Sequence, residues 1–453
     1  MKYHLLISLI IYSCLQVTTL FAKLNPEQQQ TVDSILQEIK EPVISDYNIN
    51  ITDFKGKGDG KTDNKPAFDN AIKQLEKKGG GNLIVPEGDY YLAGPIHLTS
   101  NMILHLEKGA RLFFSSEPAD YLPVVKTSWE GTFLNNYSPF IYAYQCINVG
   151  ITGEGVIDGE AAETWNTWKP KQKADQLLSR KMNHENTTLE ERNFGKGHYL
   201  RPQLVQFFDC KNVLVEGVRL EDSPFWCLHL LRCENVIIRG ISYDAHNKNN
   251  DGIDPEYSRN VLIDNVTFNN ADDNVAIKAG RDTEGRALEI ISENIVIRNC
   301  HFKGLHAVVV GSEMSAGVKN VFVYDCDYAG DLKRGIYLKS NPDRGGYMKN
   351  IYVRDVDFGK VEDFIYITSY YHNEGEGHTT EIKDVYFENI TCKEATGSAI
   401  VIQGYPEKKI SEVYFKNIKV ETAKNAISMS ATENIVFSDV TIGETVGAPS
   451  YVK

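Results

Sequence analysis

The sequence predicts an all-β protein, a single parallel β-helix with a short helical cap at its amino end. Three observations carry this. A tag of Asn followed by an apolar strand recurs as "CKNVLVEGV", "CENVIIRGI", "SRNVLIDNV", "SENIVIRNC", "VKNVFVYDC" and "MKNIYVRDV", with the variants "IKDVYFENI", "ISEVYFKNI" and "TENIVFSDV". The tags stand at Asn212, Asn235, Asn260, Asn294, Asn320, Asn350, Asp384, Glu412 and Asn434, 22 to 34 residues apart, a quasi-period typical of solenoids. Most intervals hold no helical pattern, which favours a β-helix over an α/β array. The 35 Gly, 24 Tyr and 19 Phe lean the same way, toward strands and turns.

Taken in chain order, "MKYHLLISLIIYSCLQVTTLFAK" carries a Lys, an apolar run from Leu5 to Leu15 and small residues ending at Ala22. That run is too short to span a bilayer and resembles a secretory signal, so residues 1–22 are expected to be a leader and residues 23–453 one exported, periplasmic or extracellular, domain. Cys14 offers a lipid attachment point, but Tyr12 two residues earlier fits such a signal poorly. Residues 23–80 are expected to cap the solenoid, whose end would otherwise expose apolar interior and open strand edges. Two amphipathic helices are candidates for that cover. "PEQQQTVDSILQEI" aligns Val32, Ile35, Leu36 and Ile39; "DNKPAFDNAIKQLEKKGGG" aligns Phe68, Ala71, Ile72 and Leu75 behind Pro66 and ends at Gly79. The polar stretch from Glu160 to about His198, with Trp165 and Trp168, breaks the rhythm and reads as an insertion at the rim of a cleft.

The tag Asn residues read as turn formers. Seven Cys follow the leader without C-x-x-C spacing; Cys210, Cys233, Cys300 and Cys326 lie near strands and are expected to be buried thiols rather than a zinc site or disulfide framework. A net charge of −13 argues against general affinity for nucleic acid or an anionic membrane surface, and no later segment is apolar enough to span a bilayer. No cofactor or metal is expected.

Carboxylates concentrate on two consecutive coils. "NKNNDGIDPEYSRN" holds Asp251 and Asp254, and "NNADDNVAIKAG" holds Asp272 and Asp273. Coils of a parallel β-helix stack about 4.8 Å apart, so these groups are candidates to share one patch, costly for like charges unless they have a use.

"NNDGIDP", "ADDNVAIKAGR", "GSEMSAGVKN" and "DSPFWCLH" resemble signatures of glycoside hydrolase family 28, the polygalacturonases and related pectin-backbone hydrolases. The segment from "DFKGKGDGKTDN" to "LEKGARL" is similar to the amino-terminal cap of pectate-lyase-like β-helices. The resemblance implies a right-handed β-helix that cleaves α-linked galacturonic acid with inversion, acting on pectic polysaccharide or oligogalacturonide. By the same resemblance Asp272 is the general acid, while Asp251 and Asp273 hold and deprotonate water. For adjacent Asp272 and Asp273 both to face a groove the strand must bend or bulge between them.

The family's G-H-G motif survives as Leu305-His306-Ala307, and its R-I-K motif keeps Lys339 but has Tyr337 at the Arg position, with Arg334 three residues earlier. The substrate-binding candidates are therefore His306, Lys339, Arg334, Tyr371 and Asn249, with His229 one coil earlier and Tyr370 and Arg232 as further options. Lys278 and Arg281 are expected to be rim cations. Alternatives of other classes stay open: a galacturonidase of the rhamnogalacturonan backbone, a calcium-dependent pectate lyase with Asp ligands, or a non-catalytic glycan-binding β-helix. The insertion favours exo action, and oligomeric state is undetermined.

Overall fold

The computed structural model describes residues 26–444 and 450–452, apart from 163, 329 and 373. The leader expected at residues 1–22, with Cys14, lies outside the described residues. Among the described residues four helices, α1 (Pro26–Glu38), α2 (Lys65–Lys78), α3 (Lys173–His184) and α4 (Asp282–Leu288), decorate a long parallel β-helix. In its front half each coil is three short strands. In the later coils a single strand turns the corners, as in Tyr347–Thr368, Glu381–Gln403 and Ile410–Ser430.

The repeated tags stack residue on residue. Val213, Val236, Val261, Ile295, Val321, Ile351, Val385 and Val413 pair in register along successive coils and point inward. The preceding Asn residues take left-handed φ of 54–58° from Asn212 to Asn350, a conformation Asn tolerates better than most residues because its short amide bonds locally. Each donates Nδ2 to the Oδ1 of the Asn one coil earlier, from Asn148 on Asn101 to Asn350 on Asn320, at 2.9–3.3 Å. All seven described Cys are free and buried.

The apolar triplets of the tags have a second function. Their middle residues, Leu214, Ile237, Leu262, Val296 and Phe322, form an outward-facing column, and α1 lies across it with Val32, Ile35 and Ile39. This corrects the expectation that both amino-terminal helices cover the open end. Only α2 does, its Phe68, Ala71, Ile72 and Leu75 joining the main core. The reason is the triplet itself: an apolar column on the outer face needs a cover, and each side chain buried there contributes about 1.5–3 kcal/mol.

The insertion folds as a short 3-10 turn (Trp165–Trp168) followed by α3. Trp165 and Trp168 pack against Tyr121, Tyr137 and Phe140, so they build the insertion's base and present no face for a ligand. Beside it, strands Val125–Trp129 and Thr132–Asn136 form a hairpin with Glu130 at its tip, closed by Asn193–Phe194.

Candidate active site

The strand Thr267–Ile277 positions the Asp pair. It pairs Asn270 with Gly304 but Asp273 with His306, so its register slips by one residue across Ala271 and Asp272, the irregularity that two adjacent groove-facing carboxylates require. Asp272 lines the groove, its Oδ2 accepting the Asn249 backbone N–H at 3.1 Å and its Oδ1 that of Asp273 at 3.1 Å. Asp273 is 1% exposed, with Oδ1 2.6 Å from His306 Nδ1 and Oδ2 2.9 Å from Lys339 Nζ. One coil back, Ile253 pairs with Val275 and Gly252 N–H bonds Asp273 O, which sets Asp251 beside Asp273. The sequence-predicted cluster of Asp251, Asp272 and Asp273 therefore shares one cavity of ≈ 200 Å³.

Lys278 stands under this cluster. It is 2% exposed, its Nζ lies 3.4 Å from Asp251, 3.5 Å from Asp254 and 3.4 Å from Glu313, and it sits 4.4 Å from the Trp226 ring centre. The expectation of Lys278 and Arg281 as rim cations is thus corrected. Both are buried, because each is the counter-charge of carboxylates that the fold brings in from other coils and loops, joined for Arg281 by its neighbour Asp282. Arg281 pairs with Asp282 at 2.7 Å and Glu374 at 3.2 Å, and Arg344 joins them through Asp282 at 2.5 Å. Arg180 on α3 reaches Glu374 at 2.8 Å and Glu130 at 3.3 Å, and Gln176 bonds Glu130 at 2.8 Å, so α3 walls one end of the cavity.

The carboxylates differ electrically. Burial, then the neighbouring Asp273, raises the pKa of Asp272. Asp273 is also desolvated, but Lys339 and His306 outweigh burial and hold it well below the usual carboxylate range. Burial, then Asp254 and Asp272, pushes Asp251 well up. A carboxyl pushed toward its protonated form thus lies within 4.8 Å of one pulled toward its ionised form, a split of the kind that acid–base chemistry uses. A divalent cation is poorly suited to Asp272, Asp273 and His306, since both oxygens of Asp273 are already engaged and one faces an ammonium.

The remaining candidates divide. A second cavity of ≈ 430 Å³ opens on the other side of Asp272 and is lined by His306, Arg334, Lys339, Tyr370 and Tyr371. Arg334 packs between Tyr337 and Tyr366, 4.5 and 4.4 Å from the ring centres, with Asp363 at 3.6 Å. Tyr371 lies under Lys339 and lines both cavities. Asn249 lines the first, its Oδ1 taken by Lys169 and Arg201. His229 is the exception: it is fully buried, with Nε2 2.9 Å from Glu256 and Nδ1 2.8 Å from Gln206, because its place beside Asp254 in the ladder lies below the groove. Arg232 also lies elsewhere, paired with Asp209 at 2.6 Å. Glu130, Lys169, Arg180, Glu313 and Glu374 went unassigned in the sequence, and only "GSE" marked one of them. A larger hollow of ≈ 720 Å³ lies elsewhere, lined by Asp158, Glu221, Asp222 and Asp244 together with Arg219 and His246.

A β-helix whose open face sets paired carboxylates over buried cations has the groups for acid–base chemistry in a groove. Comparison with known proteins makes this specific. Residues 124–442 match the model of the glycosyl hydrolases family 28, and residues 48–105 that of the rhamnogalacturonase A/epimerase, pectate lyase-like family. The crystal structure of a hyperthermoactive exopolygalacturonase from Thermotoga maritima is 39% identical, with a TM-score of 0.87 over 94% of this chain and 98% of that one. A probable polygalacturonase of Vitis vinifera is 28% identical over 84% of this chain and 75% of its own length. An exo-poly-alpha-D-galacturonosidase of Dickeya chrysanthemi is 27% identical over 88% and 72%. The chain belongs to family 28 of the glycosyl hydrolases.

Proposed function

We propose that this hydrolase removes single galacturonate residues from the end of pectic chains, with Asp272 as general acid and Asp251 and Asp273 activating the water. The observation that carries the assignment is the electrical split within one cavity. Asp272, with raised pKa, holds the proton for the leaving oxygen, while Asp273, held low by Lys339 and His306, stays charged beside Asp251. Asp273 is the ionised anchor for the water; burial, Asp254 and Asp272 push Asp251 toward its protonated form, and Lys278 at 3.4 Å opposes them, so Asp251 serves as base through the ionised form that Lys278 favours. Water activated there attacks the sugar that lies over Asp251 and Asp273, so that sugar occupies the smaller cavity and the leaving chain the larger one. The smaller cavity ends at α3, which favours exo action. Export, the expectation drawn from the apolar run at Leu5–Leu15, would bring the enzyme to its polymer outside the cytoplasm.

A second reading concerns the leaving sugar. Arg334 is engaged by Tyr337, Tyr366 and Asp363, and Tyr337 stands where the family resemblance places Arg. That favours a leaving group without a carboxylate, as in rhamnose-alternating pectin. Incubation with oligomers of homogalacturonan and of rhamnogalacturonan, followed by product size and anomeric configuration, tests both. The expected result is release of monomeric galacturonate with inverted configuration; internal cuts would end the exo assignment, and retained configuration the assignment of roles.

The same electrostatics predict a pH effect. Activity falls as pH drops through the pKa values of the two groups that must be ionised, Asp251 and Asp273, and as it rises through that of Asp272. Lys339→Met removes the ammonium 2.9 Å from Asp273, so the Asp273 pKa rises and the acid limb of kcat/KM moves to higher pH. An acid limb unmoved in the variant would exclude Asp273 as the group behind it.

A further inference from the structure

The charged lining of the smaller cavity is largely self-neutralised. Lys278 faces Asp251 and Glu313, Lys339 faces Asp273, and Arg180 faces Glu130 and Glu374. Lys169 departs from this pattern. It lies on the insertion between the Trp165–Trp168 turn and α3, half-buried, and its ammonium donates to Asn249 Oδ1, a neutral oxygen. The same oxygen receives Nη2 of the fully buried Arg201 at 2.9 Å. The other Arg201 bonds also end on neutral oxygens, at Gln172 Oε1 (3.0 Å), Pro224 O (2.9 Å) and Lys248 O (2.8 Å). Two cations therefore converge on one amide oxygen, and among the described residues neither is bonded to a carboxylate. Burial, then Arg201, pulls the Lys169 pKa down, against the attraction of Glu130 and Asp272, which line the same cavity without bonding it. Like charges held together in a partly desolvated place are stabilised when an anion joins them.

We propose that Lys169 is a specificity-determining residue that takes the carboxylate of the sugar bound in the smaller cavity. The inference rests on the uronate reading above and adds to it the residue that distinguishes a uronate from a neutral sugar. The insertion then has two effects: α3 closes the cavity, and the loop before it supplies the cation that the closed end needs. Asn249 ties this cation to the chemistry, since its backbone N–H holds Asp272 Oδ2 at 3.1 Å while its side chain holds Lys169.

The test is calorimetric titration of D-galacturonate and of D-galactose, its neutral counterpart, into the wild type, Lys169→Gln and Lys169→Arg. The wild type is expected to prefer galacturonate. Lys169→Gln should weaken galacturonate binding by about tenfold or more, the scale of a lost charge-assisted hydrogen bond, and leave galactose binding unchanged. Lys169→Arg should keep the preference. An unaltered preference in Lys169→Gln, or equal loss of both sugars, overturns the proposal. A wild type that hydrolyses no uronate-containing oligomer overturns the functional reading instead.

Discussion

Asp272→Asn is expected to lower kcat on oligogalacturonate by about 10²–10⁴-fold, the usual contribution of a positioned proton donor. Asparagine keeps the shape and accepts one of the two backbone N–H bonds, from Asn249 or from Asp273, so the fold should persist with the loss of a single hydrogen bond. Stability should move in the opposite direction to activity. A carboxyl whose folded pKa is raised contributes stability below its unfolded pKa and loses it as pH rises through the folded value. At alkaline pH the wild type must hold Asp272 charged beside charged Asp273, which the variant avoids. Thermal unfolding at pH 5 and pH 8 should therefore show Asp272→Asn gaining on the wild type as pH rises. Full activity in the variant would remove Asp272 from the mechanism; an unchanged stability difference would refute the like-charge strain.

Lys278→Met should be the most damaging single change to the fold near the groove. It leaves Asp251, Asp254 and Glu313 without their shared cation, and an uncompensated buried charge costs about 3–5 kcal/mol. The loss should shrink as pH falls, because protonating the carboxylates removes the charge that Lys278 balanced. Denaturant unfolding at pH 4.5 and pH 7.5 measures this, with the larger loss expected at pH 7.5. Asp254→Asn in the Lys278→Met background should restore part of the stability, since both Asp254 oxygens are buried without a hydrogen-bond partner among the described residues. Equal losses at the two pH values would show that Lys278 acts through packing on Trp226 and not through charge.

The repeats and the Asp motifs were legible because their physics is local or strictly periodic. An Asn that adopts left-handed φ and bonds the next Asn announces a coil wherever the tag occurs, and alternate Val and Ile announce its inside. The need for a bulge followed from two neighbouring carboxylates facing one groove. The middle residue of each apolar triplet carried the signal for α1's place, but a single strand does not reveal that an outward column is long enough to bind a helix.

By itself, then, the sequence determined the solenoid, its inward columns and the coils that bring Asp251 beside Asp272 and Asp273, since the recurring Asn–apolar tag sets the register of coils whose lengths differ. Only the tertiary structure decided the charge balance: that Lys278 and Arg281 lie beneath the groove, that His229 belongs to the core, and that Arg180 meets Glu374 across 194 residues of chain. The physical reason is range. Backbone conformation and apolar periodicity are set by near neighbours, whereas the energy of a buried charge depends on which opposite charges the completed fold carries to within a few ångströms of it.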